Sequence, residues 1–196
     1  MPDRTPEVVL VRHGETAWSA SGRHTGRTDV PLTDRGRAQA RAIGAALSGR
    51  TFAVVLTSPA GRATDTCRLA GFEGTVDEDL REWDYGEHEG RTTPDIRRSD
   101  PGWTVWRGPI PGGEGIDEVA DRADRVVERL AAAGADAAVF SHGHFLRLLT
   151  ARWLELPAVE GRRFVLDTAT VSVLGTEREV RAVLRWNVVP PPGVPS

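Results

Sequence analysis

Glu7 to Gly14 reads EVVLVRHG, and Ala137 to Gly143 reads AAVFSHG. Each is a short apolar run that stops at a histidine followed by glycine. Continuous apolar runs of this length suit strands buried on both faces of a parallel sheet. Glycine after the histidine allows a ligand to approach the backbone closely. A helical pattern follows the second run, with Phe145, Leu148, Leu149 and Trp153 spaced for one face. If both runs lie in one sheet, His13 and His142 meet at its edge, however far apart they are in the chain.

The flanking sequence supplies the remaining layers. Thr33 is a suitable N-cap for a helix from Asp34 to Leu47, with Ala40, Ile43 and Leu47 on one face. A strand is expected from Phe52 to Leu56. Ser58-Pro59 then offers a cap and a proline at the first helical position, opening a helix to Ala70 with Arg62 in its first turn. Val119, Ala120, Ala123, Val126, Val127 and Leu130 mark the clearest helix, beginning at Ile116. Thr170 to Leu174 and Val180 to Trp186 read as a closing hairpin. Between Gly86 and Gly115, proline and glycine break any period, so a substrate-covering loop with a short helix from Pro94 to Ser99 is expected. Alternating strands and helices predict an α/β fold, a three-layer α/β/α sandwich on a mostly parallel mixed sheet. In such sheets ligands bind beyond the carboxyl ends of the strands.

Composition narrows the function. The chain has 196 residues, and at about 100 to 200 residues per domain one domain is expected. That domain spans 1–187, with 188–196 read as a loose tail. The single cysteine excludes a disulfide scaffold and a cysteine-rich zinc site. A formal charge of −3 argues against a nucleic-acid binder. No apolar run approaches the length of a membrane helix, and the first residues do not read as a signal peptide. A cytoplasmic protein is the expectation. All 25 basic residues are arginine; for most of them compositional bias is explanation enough.

A few arginines stand where chemistry wants them. Arg12 adjoins His13, and Arg62 lies at a helix start, where free N–H groups and the helix dipole favour an anion. The guanidinium fork pairs with phosphate oxygens and keeps its charge at every working pH. A phosphate pocket follows. A lone histidine at a strand end is often structural, but two with two arginines are a constellation. The His142-Gly143-His144 triplet, with His13 or His24 as a third ligand, would also match a metal site; neighbouring arginines repel a cation, so no metal is expected. Among Glu82, Asp84, Glu87 and Glu89 the residues alone do not select a general acid.

Six stretches in order resemble one family. LVRHGETAW (Leu10 to Trp18), GRHTGRTDVPLTDRGRAQA (Gly22 to Ala40), TSPAGRATDTC (Thr57 to Cys67), LREWDYGEHEGRT (Leu80 to Thr92), GGE (Gly112 to Glu114) and SHGH (Ser141 to His144) are similar to the motifs of the histidine phosphatase superfamily, the phosphoglycerate-mutase-like fold. The resemblance implies that His13 is the phosphorylated nucleophile, that Arg12, Arg62 and His142 hold the phosphoryl oxygens, and that Glu82 is the general acid. It places His24, Thr25, Gly26, Tyr85, Gly143 and His144 near the substrate. Ser19 stands where many members carry Asn, replacing an amide donor with a hydroxyl. Gly115 replaces a frequent Ser at the start of the long helix.

Mutases of the family that use a bisphosphate cofactor carry a longer insertion with lysines after the acid. This chain has no lysine, and its short segment carries Trp103 and Trp106, read either as local packing or as an apolar lid. The resemblance therefore implies a small bacterial acid phosphatase acting on a small phosphorylated substrate, without cofactor, as a homodimer. The alternatives are a phosphoglycerate mutase and a non-catalytic phosphate-binding regulator. Arginines opposing protonation of His13, together with a protonated Glu82, predict a mildly acidic optimum.

Overall fold

A computed structural model describes residues 5–191. Its centre is a six-stranded sheet made of β1 (Val8–Arg12), β2 (Val54–Thr57), β3 (Thr75–Val76), β4 (Ala137–Ser141), β5 (Val171–Glu177) and β6 (Val180–Val188), in the order β3-β2-β4-β1-β5-β6. The first four strands run parallel, and β5 and β6 join antiparallel as the expected hairpin. The sheet is mixed and the fold is α/β, as the alternation of elements predicts.

β1 and β4 are neighbours, with Arg12 opposite Ser141. That register alone brings the two His-Gly pairs together. Alternate residues of the strands serve opposite faces: Val8, Leu10 and Val139 join one cluster, and Val9, Val11 and Phe140 the other. Helices cover both. The first face packs on α5 (Ile116–Ala133) and α6 (Gly143–Trp153); the second packs on α2 (Asp34–Ala46) and α3 (Gly61–Leu69) through Ile43 and Cys67. The two remaining helices, α1 (Ala17–Ala20) and α4 (Thr93–Arg97), are short pieces beside the site. A Cβ on Gly14 would collide with the carbonyl of Gly36, so this glycine permits β1 to run directly over the start of α2.

Thr33 caps α2 as predicted, its hydroxyl accepting the N–H of Gly36 at 3.0 Å. The Ser58-Pro59 cap is corrected. α3 begins at Gly61 with Ala60 at the N-cap and no side-chain cap, because Ser58 is engaged elsewhere; Arg62 still lies in the first turn. The strand expected from Phe52 runs instead from Val54 to Thr57. α1, β3 and the 3₁₀ turns at Glu78–Leu80, Gly86–His88 and Ala158–Arg163 are too short to leave a period in the sequence. Gly115 caps α5 through its backbone, its N–H donating to Glu118 at 2.7 Å. Trp103 and Trp106 are both buried. Among the described residues no helix is long and apolar enough to cross a membrane. Of the expected tail, 192–196 lie outside the described residues.

Candidate active site

Both histidines follow the ends of adjacent strands, and the N–H of His13 donates to the carbonyl of Ser141 at 3.0 Å. The rings meet edge to face with centroids 5.2 Å apart. His13 Nδ1 lies 2.7 Å from the carbonyl oxygen of Gly14. A carbonyl only accepts, so Nδ1 carries the proton and Nε2 the lone pair. Burial, and then Arg12 and Arg62, hold the His13 pKa well below the usual value of 6.5. The ring is neutral, with its lone pair on Nε2.

His142 is fixed in the opposite tautomer. Arg62 Nε donates to its Nδ1 at 3.2 Å, so Nε2 carries the proton and donates to Ser58 Oγ at 2.7 Å. Burial and the positive charge of Arg62 depress the pKa of this ring too. Arg62 is itself fully buried, and donates to the carbonyls of Thr25, Gly26 and Thr28 at 3.0 to 3.1 Å. Four of its five N–H groups are thereby used; one on Nη1 remains.

Arg12 is less committed. Its Nη1 donates to the carbonyl of Leu166 at 2.5 Å, while the buried Nε has no partner among the described residues. Its guanidinium lies against Gly143, where an added Cβ would come within 3.2 Å of Cζ. An orphaned donor on a desolvated cation is a position an anion would satisfy.

Glu82 faces these groups from across the start of α6. Its Oε1 accepts the N–H of Trp83 (3.0 Å) and of Phe145 (2.8 Å), and its Oε2 accepts that of His144 (3.0 Å). Two oxygens offer about four lone pairs, so the single one left free is on Oε2. The other candidate carboxylates are spent or point away. Asp84 is paired with Arg27 at 2.7 Å, Glu87 is exposed, and Glu89 accepts the amides of Gly26, Arg27 and Thr28. Only Glu82 among the four reaches the cavity that His13 lines.

That cavity has a volume of about 630 Å³. Of the residues singled out in the sequence, Arg12, His13, Ser19, His24, Thr25, Glu82, Tyr85, Gly143 and His144 line it. Arg62 and His142 stand behind His13 without lining it, and Gly26 lines a neighbouring cleft of about 530 Å³. Ser19 Oγ accepts the Thr16 N–H at 2.9 Å, which completes the capping box of α1, and its own proton goes back to the Thr16 carbonyl at 3.0 Å. His24 is bonded to Thr93 Oγ1 at 3.1 Å, and burial, with His88, lowers its pKa to about 4. His144 Nδ1 and the Tyr85 hydroxyl are 2.6 Å apart; burial drives the His144 pKa down and the Tyr85 pKa up, so both are neutral. No three histidine, cysteine or acidic side chains among the described residues are grouped to hold a metal ion.

Trp106, offered by the sequence as packing or lid, lines the cavity with its neighbours Arg97 and Arg107, but sequence reasoning missed Arg23, Arg147 and Arg162, which line it as well. Arg147 stacks on the Trp106 ring at 5.0 Å and donates to the carbonyls of Gly161 and Arg162. An all-arginine basic complement hides such residues. Arg147 had one available signal: it stands one turn beyond Gly143 on α6, hence on the same face.

Comparison with known proteins agrees with this geometry. A family model, histidine phosphatase superfamily (branch 1), matches residues 8–189. An acid phosphatase of Mycobacterium tuberculosis is 46% identical over 187 residues, 91% of this chain and 90% of the relative. Sedoheptulose 1,7-bisphosphatase of Saccharomyces cerevisiae is 35% identical, covering 80% of this chain and 70% of its own length. The solved structure of an open reading frame product from Mycobacterium tuberculosis superposes with a TM-score of 0.91 at 44% identity, over 95% of this chain and 99% of that one.

Proposed function

Since the chain belongs to the histidine phosphatase superfamily, branch 1, we propose that it is an acid phosphatase that hydrolyses small phosphate monoesters through a phosphohistidine on His13. The observation that carries this is the 2.7 Å contact of His13 Nδ1 with Gly14 O, which leaves Nε2 as the nucleophile at the cavity wall. The names of the two relatives above support hydrolysis over isomerisation.

In the first step Nε2 attacks phosphorus in line, and the bond to the ester oxygen breaks as the P–N bond forms. Arg12 and the remaining Nη1 proton of Arg62 set positive donors around the equatorial oxygens, while His142, its own N–H given to Ser58, accepts from Arg62 Nε and fixes that guanidinium. The leaving alkoxide takes a proton from Glu82, whose free Oε2 lone pair is the site that carries it. Water then attacks the phosphohistidine, giving its proton back to Glu82 and releasing phosphate and a neutral His13. The depressed His13 pKa keeps the nucleophile unprotonated in acid, and the first step draws on the protonated form of Glu82. A mildly acidic optimum follows.

The test is phosphate release from p-nitrophenyl phosphate between pH 4 and 8 with EDTA present, for the native chain and His13→Ala. Activity that survives EDTA, peaks in mild acid and disappears in the variant is expected. Phosphoglycerate isomerised without loss of phosphate would replace the proposal with a mutase, and activity abolished by EDTA would replace it with a metal mechanism.

A further inference from the structure

Glu89 lines neither cavity, yet its carboxylate accepts three consecutive backbone N–H groups: Gly26 (2.9 Å), Arg27 (3.2 Å) and Thr28 (2.8 Å). The other side of the same loop faces Arg62, which donates to the carbonyls of Thr25, Gly26 and Thr28. Two whole peptide units are therefore bracketed. In the unit joining Thr25 to Gly26, the N–H points at Glu89 and the C=O at Arg62; the unit joining Gly26 to Arg27 repeats the arrangement.

We propose that Glu89 is a positioning residue for Arg62, acting as its counter-ion through these two peptide dipoles and so holding the guanidinium against His142. The proposal rests on the phosphatase reading for its catalytic consequence. Each bracketed peptide is aligned with its positive end on the carboxylate and its negative end on the guanidinium, so all three are mutually stabilising. A fully buried guanidinium needs such compensation. Burial works against the charge of Arg62, and Glu82, Asp29 and Glu89 oppose it. Direct pairing of Arg62 with a carboxylate would use the N–H groups that fix its direction and leave no proton for a ligand. Relaying the charge through the loop keeps the carboxylate out of the anion's place.

The sequence is built for this contact. A Cβ on Gly26 would lie 2.7 Å from the Trp83 carbonyl oxygen and 3.0 Å from Glu89 Oε2, so no other residue fits between loop and carboxylate. The loop is fastened to the strand of residues after Glu89 by His24 N–H to Arg91 O and Gly90 N–H to His24 O, both 2.9 Å. Glu89 and the loop thus move as one body, and Arg62 is its only buried cation among the described contacts.

The experiment is a double-mutant cycle of Glu89→Gln and Arg62→Gln, read by calorimetric binding of inorganic phosphate, by kcat/KM for p-nitrophenyl phosphate, and by thermal melting. Gln keeps one acceptor oxygen and removes the charge. Glu89→Gln alone is expected to weaken both phosphate binding and kcat/KM by about 10- to 100-fold, the range for loss of an orienting outer partner. In the Arg62→Gln background the same change should alter either quantity by less than about twofold. Equal factors in both backgrounds, or no loss in the single variant, would overturn the proposal and leave Glu89 a loop anchor. If Glu89→Gln does not fold, Glu89→Asp, which keeps the charge one methylene short, takes its place in the cycle. A native chain that binds phosphate but hydrolyses nothing would refute the phosphatase reading, while the cycle in binding would still decide the role of Glu89.

Discussion

Ser58 Oγ accepts the Nε2–H of His142 at 2.7 Å, inside a region where both residues are completely buried. The bond decides the tautomer of the ring, because Arg62 already donates to Nδ1. Without the serine hydroxyl, either tautomer leaves a donor stranded: Nε2–H without an acceptor, or Nδ1–H facing the Arg62 Nε–H. Ser58→Ala should therefore destabilise the chain by about 1 to 3 kcal/mol, a fall in Tm of several degrees, and lower activity as well. A melting curve that superposes on the native one would show that His142 donates elsewhere.

This serine also shows where sequence reading stops. A Ser-Pro pair before a helical run is a sound capping signal, and nothing local reveals that the hydroxyl is wanted by a ring from another strand. The central strands and the meeting of His13 with His142 were legible because burial on both faces makes continuous apolar runs, and the long helices because burial of one face imposes a period of 3.6. Arg12, Arg62 and Glu82 were legible through motif. Arg147 and the role of Glu89 were not, since each depends on how loops between the elements fold over the pocket. Two-residue β3 and four-residue α1 are too short for any period to emerge.

Gly143 sits where Arg12 passes over the start of α6, and a methyl there would come within 3.2 to 3.4 Å of the guanidinium. Gly143→Ala should displace Arg12 by a few tenths of an ångström while leaving the helix, which favours Ala over Gly, intact. The expected outcome is a stable protein with weaker phosphate binding and reduced kcat/KM. Titration with inorganic phosphate, alongside melting, separates this from a folding defect; unchanged affinity would mean that Arg12 does not contact the phosphoryl group.

Glu82 uses three of its four lone pairs on backbone amides, which fixes the carboxylate and leaves Oε2 for the proton. Glu82→Gln keeps one oxygen as acceptor but carries no transferable proton. General acid catalysis matters most for poor leaving groups, so kcat on alkyl phosphates should fall by about 10²- to 10⁴-fold. The loss on p-nitrophenyl phosphate, whose leaving phenolate needs little help, should be much smaller. Equal losses on both substrates would deny Glu82 the role of acid.

Stability should depend on pH through the histidines. His13, His24, His142 and His144 all have pKa values lowered in the fold, chiefly by burial, His24 to about 4. Each ring binds a proton in the unfolded chain at about 6.5 but not in the native one until a lower pH. The unfolded state therefore holds more protons below pH 6.5, and the sign is unambiguous: the stabilisation is complete above that value and is lost as the pH falls. Each histidine contributes a slope of about 1.4 kcal/mol per pH unit within its window, and that of His24 closes near pH 4, where the native ring protonates as well. Urea unfolding between pH 7.5 and 4.5 should give a free energy that is level above pH 6.5 and declines below it. His24→Gln, which keeps a polar side chain but does not titrate, should reduce the slope by about one histidine's share. A flat profile through this range would mean that the buried rings accept protons in the fold, and His13 would then lose its lone pair in the same acid in which catalysis is expected to peak.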